Sequence, residues 1–89
     1  MNRKLLEILV CPIDKHHPLE LFENKSDSEK ITEGSLYCGK CSRFFPIIDE
    51  IPIMLPDELR DKKQDIEFLK RNTTELPEKI VMKALPWHL

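Results

Sequence analysis

At 89 residues the chain has room for one small domain, and it cannot bury a large core or enclose an elaborate active site. An odd count of three cysteines, no apolar leader and no apolar run of about 18 residues are expected to exclude a secreted disulfide scaffold or a membrane span, and they point to the reducing cytosol. With 14 basic against 16 acidic residues the chain lacks the excess that would support nucleic-acid binding on charge alone, while 40% hydrophobic and 34% charged residues describe a globular chain.

Asn2 is a fair N-cap, and Arg3-Lys4-Leu5-Leu6-Glu7-Ile8-Leu9-Val10 places Leu5, Leu6, Ile8 and Leu9 on one broad helical face. A short helix is therefore predicted to run to Cys11, where Pro12 ends it. Pro18-Leu19-Glu20-Leu21-Phe22-Glu23 alternates apolar and polar residues as a half-buried strand does, and residues 24–29 follow as a solvated connection. A second strand from Lys30 carries Ile31, Leu36 and Tyr37, with Gly34 marking a bulge or a turn. Arg43-Phe44-Phe45-Pro46-Ile47-Ile48 and Ile51-Pro52-Ile53-Met54-Leu55 read as two β segments around a tight turn at Asp49-Glu50, and Pro46 and Pro52 place both near sheet edges.

From Asp57 to Arg71 the chain is acidic at its start and basic at its end, which suits a helix macrodipole. Leu59, Ile66 and Leu69 form only a thin apolar stripe, so this helix is predicted to lie on the surface and to end at Asn72-Thr73-Thr74. A last short helix from Pro77 to Leu85 stops at Pro86, leaving Trp87-His88-Leu89 as an apolar tip.

The chemistry concentrates at the cysteines. Cys38-Gly39-Lys40-Cys41 is a C-x-x-C turn that puts two sulfurs on one side of a tight loop, within reach of one Zn²⁺. Cys11-Pro12-Ile13-Asp14 has the same shape with aspartate at the fourth position. Cys11, Cys38 and Cys41 with one of Asp14, His16 or His17 make a plausible ligand set, because zinc accepts sulfur, imidazole or carboxylate. The plainer alternative is three thiols buried as small hydrophobes, with Asp14 closing a turn. A redox role for Cys38 and Cys41 would need a βαβ context and a helix opening at the first cysteine, and Gly39-Lys40 followed by a strand supplies neither. No phosphate loop, nucleophile with a positioned base or cofactor fingerprint occurs, so the chain is not expected to be an enzyme, and a zinc held by four protein ligands would be structural.

Three blocks in order, Leu5-Leu6-Glu7-Ile8-Leu9-Val10-Cys11-Pro12, Glu33-Gly34-Ser35-Leu36-Tyr37-Cys38-Gly39-Lys40-Cys41 and Arg43 to Leu55, resemble the small zinc-binding activator subunit of methyltransferases, the tRNA methyltransferase 112 family with its short archaeal and bacterial members. The likeness covers residues 2–58 and leaves 59–89 outside. It implies an α+β fold, a small zinc-ribbon-like antiparallel sheet with a short N-terminal helix. To this a C-terminal helical tail is added, giving a zinc-ribbon-like domain over 1–56 and a helical extension over 57–89. The resemblance also implies a cytoplasmic, non-catalytic subunit that forms a heterodimer with S-adenosylmethionine-dependent methyltransferases acting on tRNA, ribosomal RNA or translation release factor. RNA would be met only through that partner. Carried over by residue, Cys11, Cys38 and Cys41 take three metal positions and Asp14 the fourth, where a carboxylate in place of a thiolate should loosen zinc. Glu50 stands where the family usually has a turn glycine, so the turn before Ile51 need not adopt positive φ.

Independently of the likeness, residues 44–55 are apolar on both strand faces, more than one small sheet and one short helix can cover. Phe45, Ile51, Ile53, Met54 and Leu55 are therefore candidate partner-binding residues, with an edge strand open to a partner's strand. The tail from Asp57 onward is the competing cover for part of this surface. A stand-alone zinc ribbon that binds RNA is the alternative from another class, and it requires a basic face with exposed aromatic residues.

Overall fold

The computed structural model describes all of residues 1–89. Four antiparallel strands pair in chain order: β1 (Glu20–Asp27), β2 (Lys30–Tyr37), β3 (Phe44–Ile48) and β4 (Ile51–Pro52). Two short helices follow, α1 (Lys62–Arg71) and α2 (Glu78–Val81), and single 3₁₀ turns cover Arg3–Glu7 and Asp57–Leu59.

The α+β prediction is borne out, with local differences that have physical reasons. The N-terminal helix is one 3₁₀ turn that ends at Glu7 rather than at Cys11, capped by the Asn2 side chain, which accepts from Lys4 N–H at 2.9 Å. Its apolar residues divide: Leu6 and Leu9 pack on the core, whereas Leu5, Ile8 and Val10 stay exposed. β1 runs on through the stretch predicted as a loop, because Lys25, Ser26 and Asp27 all pair with β2 while their side chains meet solvent. Gly34 does mark an irregularity, but the extra residue is Asn24 on the facing strand. A Cβ at Gly34 would stand 2.6 Å from the Phe22 carbonyl, so this close backbone approach requires glycine. β3 is an inner strand, contrary to the edge placement. Pro46 is tolerated because its backbone faces away from β2, where its carbonyl accepts from Ile53 N–H at 2.8 Å.

The turn joining β3 and β4 takes positive φ at both positions despite the absence of glycine. Asp49 and Glu50 have φ of 49° and 69°, the type I′ pair that matches strand twist. A two-residue loop closing the Ile48–Ile51 pair demands this geometry whatever the side chains. Glu50→Gly is accordingly expected to raise stability in urea unfolding by about 0.5 kcal/mol, the left-handed strain less the extra freedom of glycine in the unfolded chain. The Glu50 carboxylate loses an exposed contact with Lys30 at 3.9 Å and its attraction for the Met1 ammonium, which keeps the expected gain small.

Strand alternation sends the apolar residues of 44–48 to two cores. Phe45 and Ile47 join Met1, Cys11, Leu19, Ile31, Leu36 and Cys38 on one face of the sheet. Phe44 faces the other way, with Tyr37, Phe68, Leu69, Leu76, Ile80, Val81 and Ala84. The tail thus supplies the second core, and α1 is not the surface helix predicted. Phe68 and Leu69 are fully buried, whereas Leu59 is 65% exposed and sits outside the helix. The acidic start splits because Asp61 caps α1, its side chain accepting from Gln64 N–H at 3.1 Å. α2 stops at Val81, four residues short of the predicted end, and Trp87 is not a free tip: its indole N–H donates to Asp65 at 3.1 Å.

A two-turn donor cluster and its surroundings

Two short turns build the candidate metal centre, and their backbones match. In the first, Cys11 N–H donates to the His16 carbonyl at 3.0 Å and Lys15 N–H to the Cys11 carbonyl at 2.9 Å. In the second, Cys38 N–H donates to the Arg43 carbonyl and Ser42 N–H to the Cys38 carbonyl, both at 2.9 Å. Lys15 and Ser42 occupy the same left-handed position, with φ of 63° and 62°. Asp14 therefore stands in its turn where Cys41 stands in the other. Backbone N–H groups of Ile13 and Asp14 point at the Cys11 sulfur, and those of Lys40 and Cys41 at the Cys38 sulfur.

The turns bring Cys11, Asp14, Cys38 and Cys41 together, each offering an atom within 4.8 Å of every other. The Cys11 and Cys41 sulfurs are 3.7 Å apart, and the Cys38 sulfur lies 3.7 Å from both Asp14 oxygens. A tetrahedral ion with ligands at about 2.3 Å has donor separations of about 3.8 Å, so the donors fit a metal ion of that kind. Cys11 and Cys38 are fully buried, and the cysteines are free thiols. Burial pushes the Cys11 thiol up to about 12 and raises Cys38 as well. The Asp14 carboxyl is held low, chiefly by the His16 N–H that donates to it at 3.0 Å. Neither histidine competes for the fourth position: His17 Nε2 engages the Glu7 carbonyl at 2.9 Å, and His16 takes part through its backbone.

Arg43 closes the second turn and reaches over it to Asp57, making paired bonds of 2.9 and 2.8 Å. Sequence reading missed this pair, since nothing in residues 43 and 57 alone indicates that β3 and the start of the tail meet. Arg43 holds the Asp57 carboxyl below its ordinary range. A depressed folded-state pKa stabilises the fold above the unfolded value near 3.9, and that contribution is lost as pH falls through the folded value. Asp57→Asn is expected to flatten the fall of the urea midpoint between roughly pH 4 and 2; an unchanged slope would show that the pair does not contribute.

The candidate partner residues are not equivalent. Phe45 is fully buried and offers no surface, which corrects its selection: alternation along β3 turns it into the core. Ile51 is 60% and Leu55 38% exposed, while Ile53 and Met54 are half-buried, Met54 against the core below. Exposed Leu5, Ile8, Val10 and Ile13 were not selected from sequence, where Leu5 and Ile8 were read as part of a helix's apolar face and Val10 and Ile13 lay outside it. No helix is long and apolar enough to cross a membrane.

A short antiparallel sheet carrying two matched turns around one donor cluster defines a zinc-ribbon-like β-sheet protein. The chain belongs to the Trm112p-like protein family, whose family model matches residues 2–50. It is 45% identical to the UPF0434 protein of Dechloromonas aromatica over 65 residues, 73% of this chain and 97% of the relative. The UPF0434 protein of Methylobacillus flagellatus is 48% identical over 60 residues, 67% of this chain and 85% of its own. Among solved structures, the complex between the Haloferax volcanii Trm112 methyltransferase activator and a protein assigned as a methyltransferase contains a chain that superposes with a TM-score of 0.64 at 38% identity. The match covers 67% of this chain and 100% of that one.

Proposed function

We propose that this chain is a non-catalytic, cytoplasmic subunit that binds S-adenosylmethionine-dependent methyltransferases as a heterodimer and keeps them soluble and active. The observation that carries this reading is the match to the whole of a chain in the Haloferax activator complex, spanning 67% of this chain at 38% identity. The substrates of the partner would be tRNA, ribosomal RNA or translation release factor. Zn²⁺ held by Cys11, Asp14, Cys38 and Cys41 is structural, since four protein donors leave no position for water. Residues 1–56 form the zinc-ribbon-like domain, and 57–89 are an extension that fills the second core. Ile51, Ile53, Met54 and Leu55 contact the partner, and apolar side chains left in water beside β4 support that role.

Co-expression with the methyltransferases of the same genome is expected to raise the solubility and activity of at least one of them. Ile51→Lys, on a residue outside either core, is expected to weaken that complex by about tenfold or more, on the order of 1.4 kcal/mol, with the melting temperature unchanged. No effect of the chain on any methyltransferase, together with salt-sensitive RNA binding by the chain alone, would replace this reading with a stand-alone RNA-binding ribbon.

A further inference from the structure

β4 is two residues long, so it covers only the Ile47–Ile48 end of β3. The same edge continues past Pro46 and Phe44 to Ser42, where backbone groups need other partners. Ile53 supplies one, donating to the Pro46 carbonyl. The others come from the far end of the chain. Phe44 N–H donates to the Leu85 carbonyl at 3.0 Å, and Leu85 N–H donates to the Ser42 carbonyl at 2.8 Å, a parallel bridge that straddles Arg43. This is how a parallel strand adds to an edge. The pairing is through the main chain, because the Leu85 side chain is 41% exposed.

The hold on this segment is narrow. No residue after Ala84 is buried, and the last five are kept by the Leu85 bridge, the half-buried Trp87 ring against the second core with its bond to Asp65, a contact of His88 Nδ1 with the Ala84 carbonyl and the bond from Leu89 N–H to the Val81 carbonyl. The Dechloromonas relative is matched over 97% of its length by 73% of this chain, so about a quarter of this chain has no counterpart in that match.

We propose that Leu85 and the four residues after it are a built-in strand mimic, which occupies the β3 edge at Ser42–Phe44 and must lift away before a β-strand of the partner protein pairs there. The inference rests on the methyltransferase reading above. The tail then sets how readily the partner is accepted: affinity is reduced by the fraction of time the edge is closed.

The test uses the methyltransferase that co-expression recovers with the full-length chain. Its affinity is measured for the full chain, for the chain ending at Ala84, and for Leu85→Pro, which removes the N–H that donates to Ser42. Both variants are expected to bind about tenfold or more tightly. In the complex of the unaltered chain, the Phe44 amide is expected to stay protected from hydrogen exchange while the Leu85 amide becomes exposed. Protection of Leu85 in that complex, or unchanged affinity in variants whose Phe68 and Ile80 amides remain protected, overturns the proposal and leaves the methyltransferase reading standing. If the variants do not fold, exchange in the unaltered complex decides. If no methyltransferase binds any form, both readings fall.

Discussion

Cys38→Ser is expected to empty the metal site and to lower the melting temperature by roughly 10–20 °C at free zinc near 100 Kd. Such binding is linked to about 2.7 kcal/mol of stability, and each kcal/mol moves a domain of this size by about 4–8 °C. Cys38 heads the second turn and is fully buried against the first core. The remaining donors, Cys11, Asp14 and Cys41, offer one soft ligand fewer, too few to retain zinc. Because burial raises Cys11 and Cys38, metal must displace protons that these thiols hold firmly, and retention should weaken on acidification. Asp14→Cys should act in the opposite direction. The backbone of its turn already matches that of Cys38–Arg43, so a thiol there completes a four-sulfur site and is expected to raise retention against a chelator at least about tenfold, or 1.4 kcal/mol. Metal content measured after dialysis, together with melting curves, checks both. Identical metal content and melting temperature in wild type and Cys38→Ser would leave the thiols as buried hydrophobes.

The second large effect is expected on the other face of the sheet. Asp65 and Arg60 are both buried, with Arg60 Nε donating to Asp65 Oδ2 at 2.9 Å and Nη1 donating to the Phe44 carbonyl at 2.9 Å. The guanidinium also lies 5.1 Å from the Phe44 ring centre. Burial pushes the Asp65 carboxyl up, and Arg60 pulls it back only in part. Asp65→Ala leaves the arginine charge uncompensated and frees the indole N–H of Trp87, so a loss of about 3–5 kcal/mol is expected, a large share of the stability of a domain this size. The double change Arg60→Met with Asp65→Leu is expected to recover most of that loss, because apolar side chains of similar volume carry no desolvation cost. Equilibrium urea unfolding of the two forms measures the difference. A loss under 1 kcal/mol in Asp65→Ala would show that water reaches the pair.

How far each feature could be read follows from the range of the interaction behind it. The start of β1, β2, β3 and the first residues of β4 showed in apolar spacing, which is a property of consecutive residues, whereas β4 stops at Pro52 and not at the predicted Leu55. The three cysteines and Asp14 were visible as a set, because two four-residue turns with a cysteine at the head of each fix donor geometry locally. His16 and His17 could be set aside only when the turn was seen to use the His16 backbone and the Glu7 carbonyl to hold the His17 ring. The N-terminal helix shortened because the chain must turn early to bring Cys11 to the second turn, a requirement that helical spacing does not carry.

Local chemistry in the sequence by itself determined a small α+β chain with a four-donor cluster and more apolar strand surface than one sheet face can bury. Tertiary structure alone decided which surface stays open. Burying Phe68 and Leu69 requires a sheet face already apolar on Tyr37 and Phe44, and the thin stripe of α1 does not reveal that face. Left-handed φ at Glu50, the buried Arg60–Asp65 pair and the Leu85 bridge likewise depend on contacts between distant residues, whose energies exceed local preference.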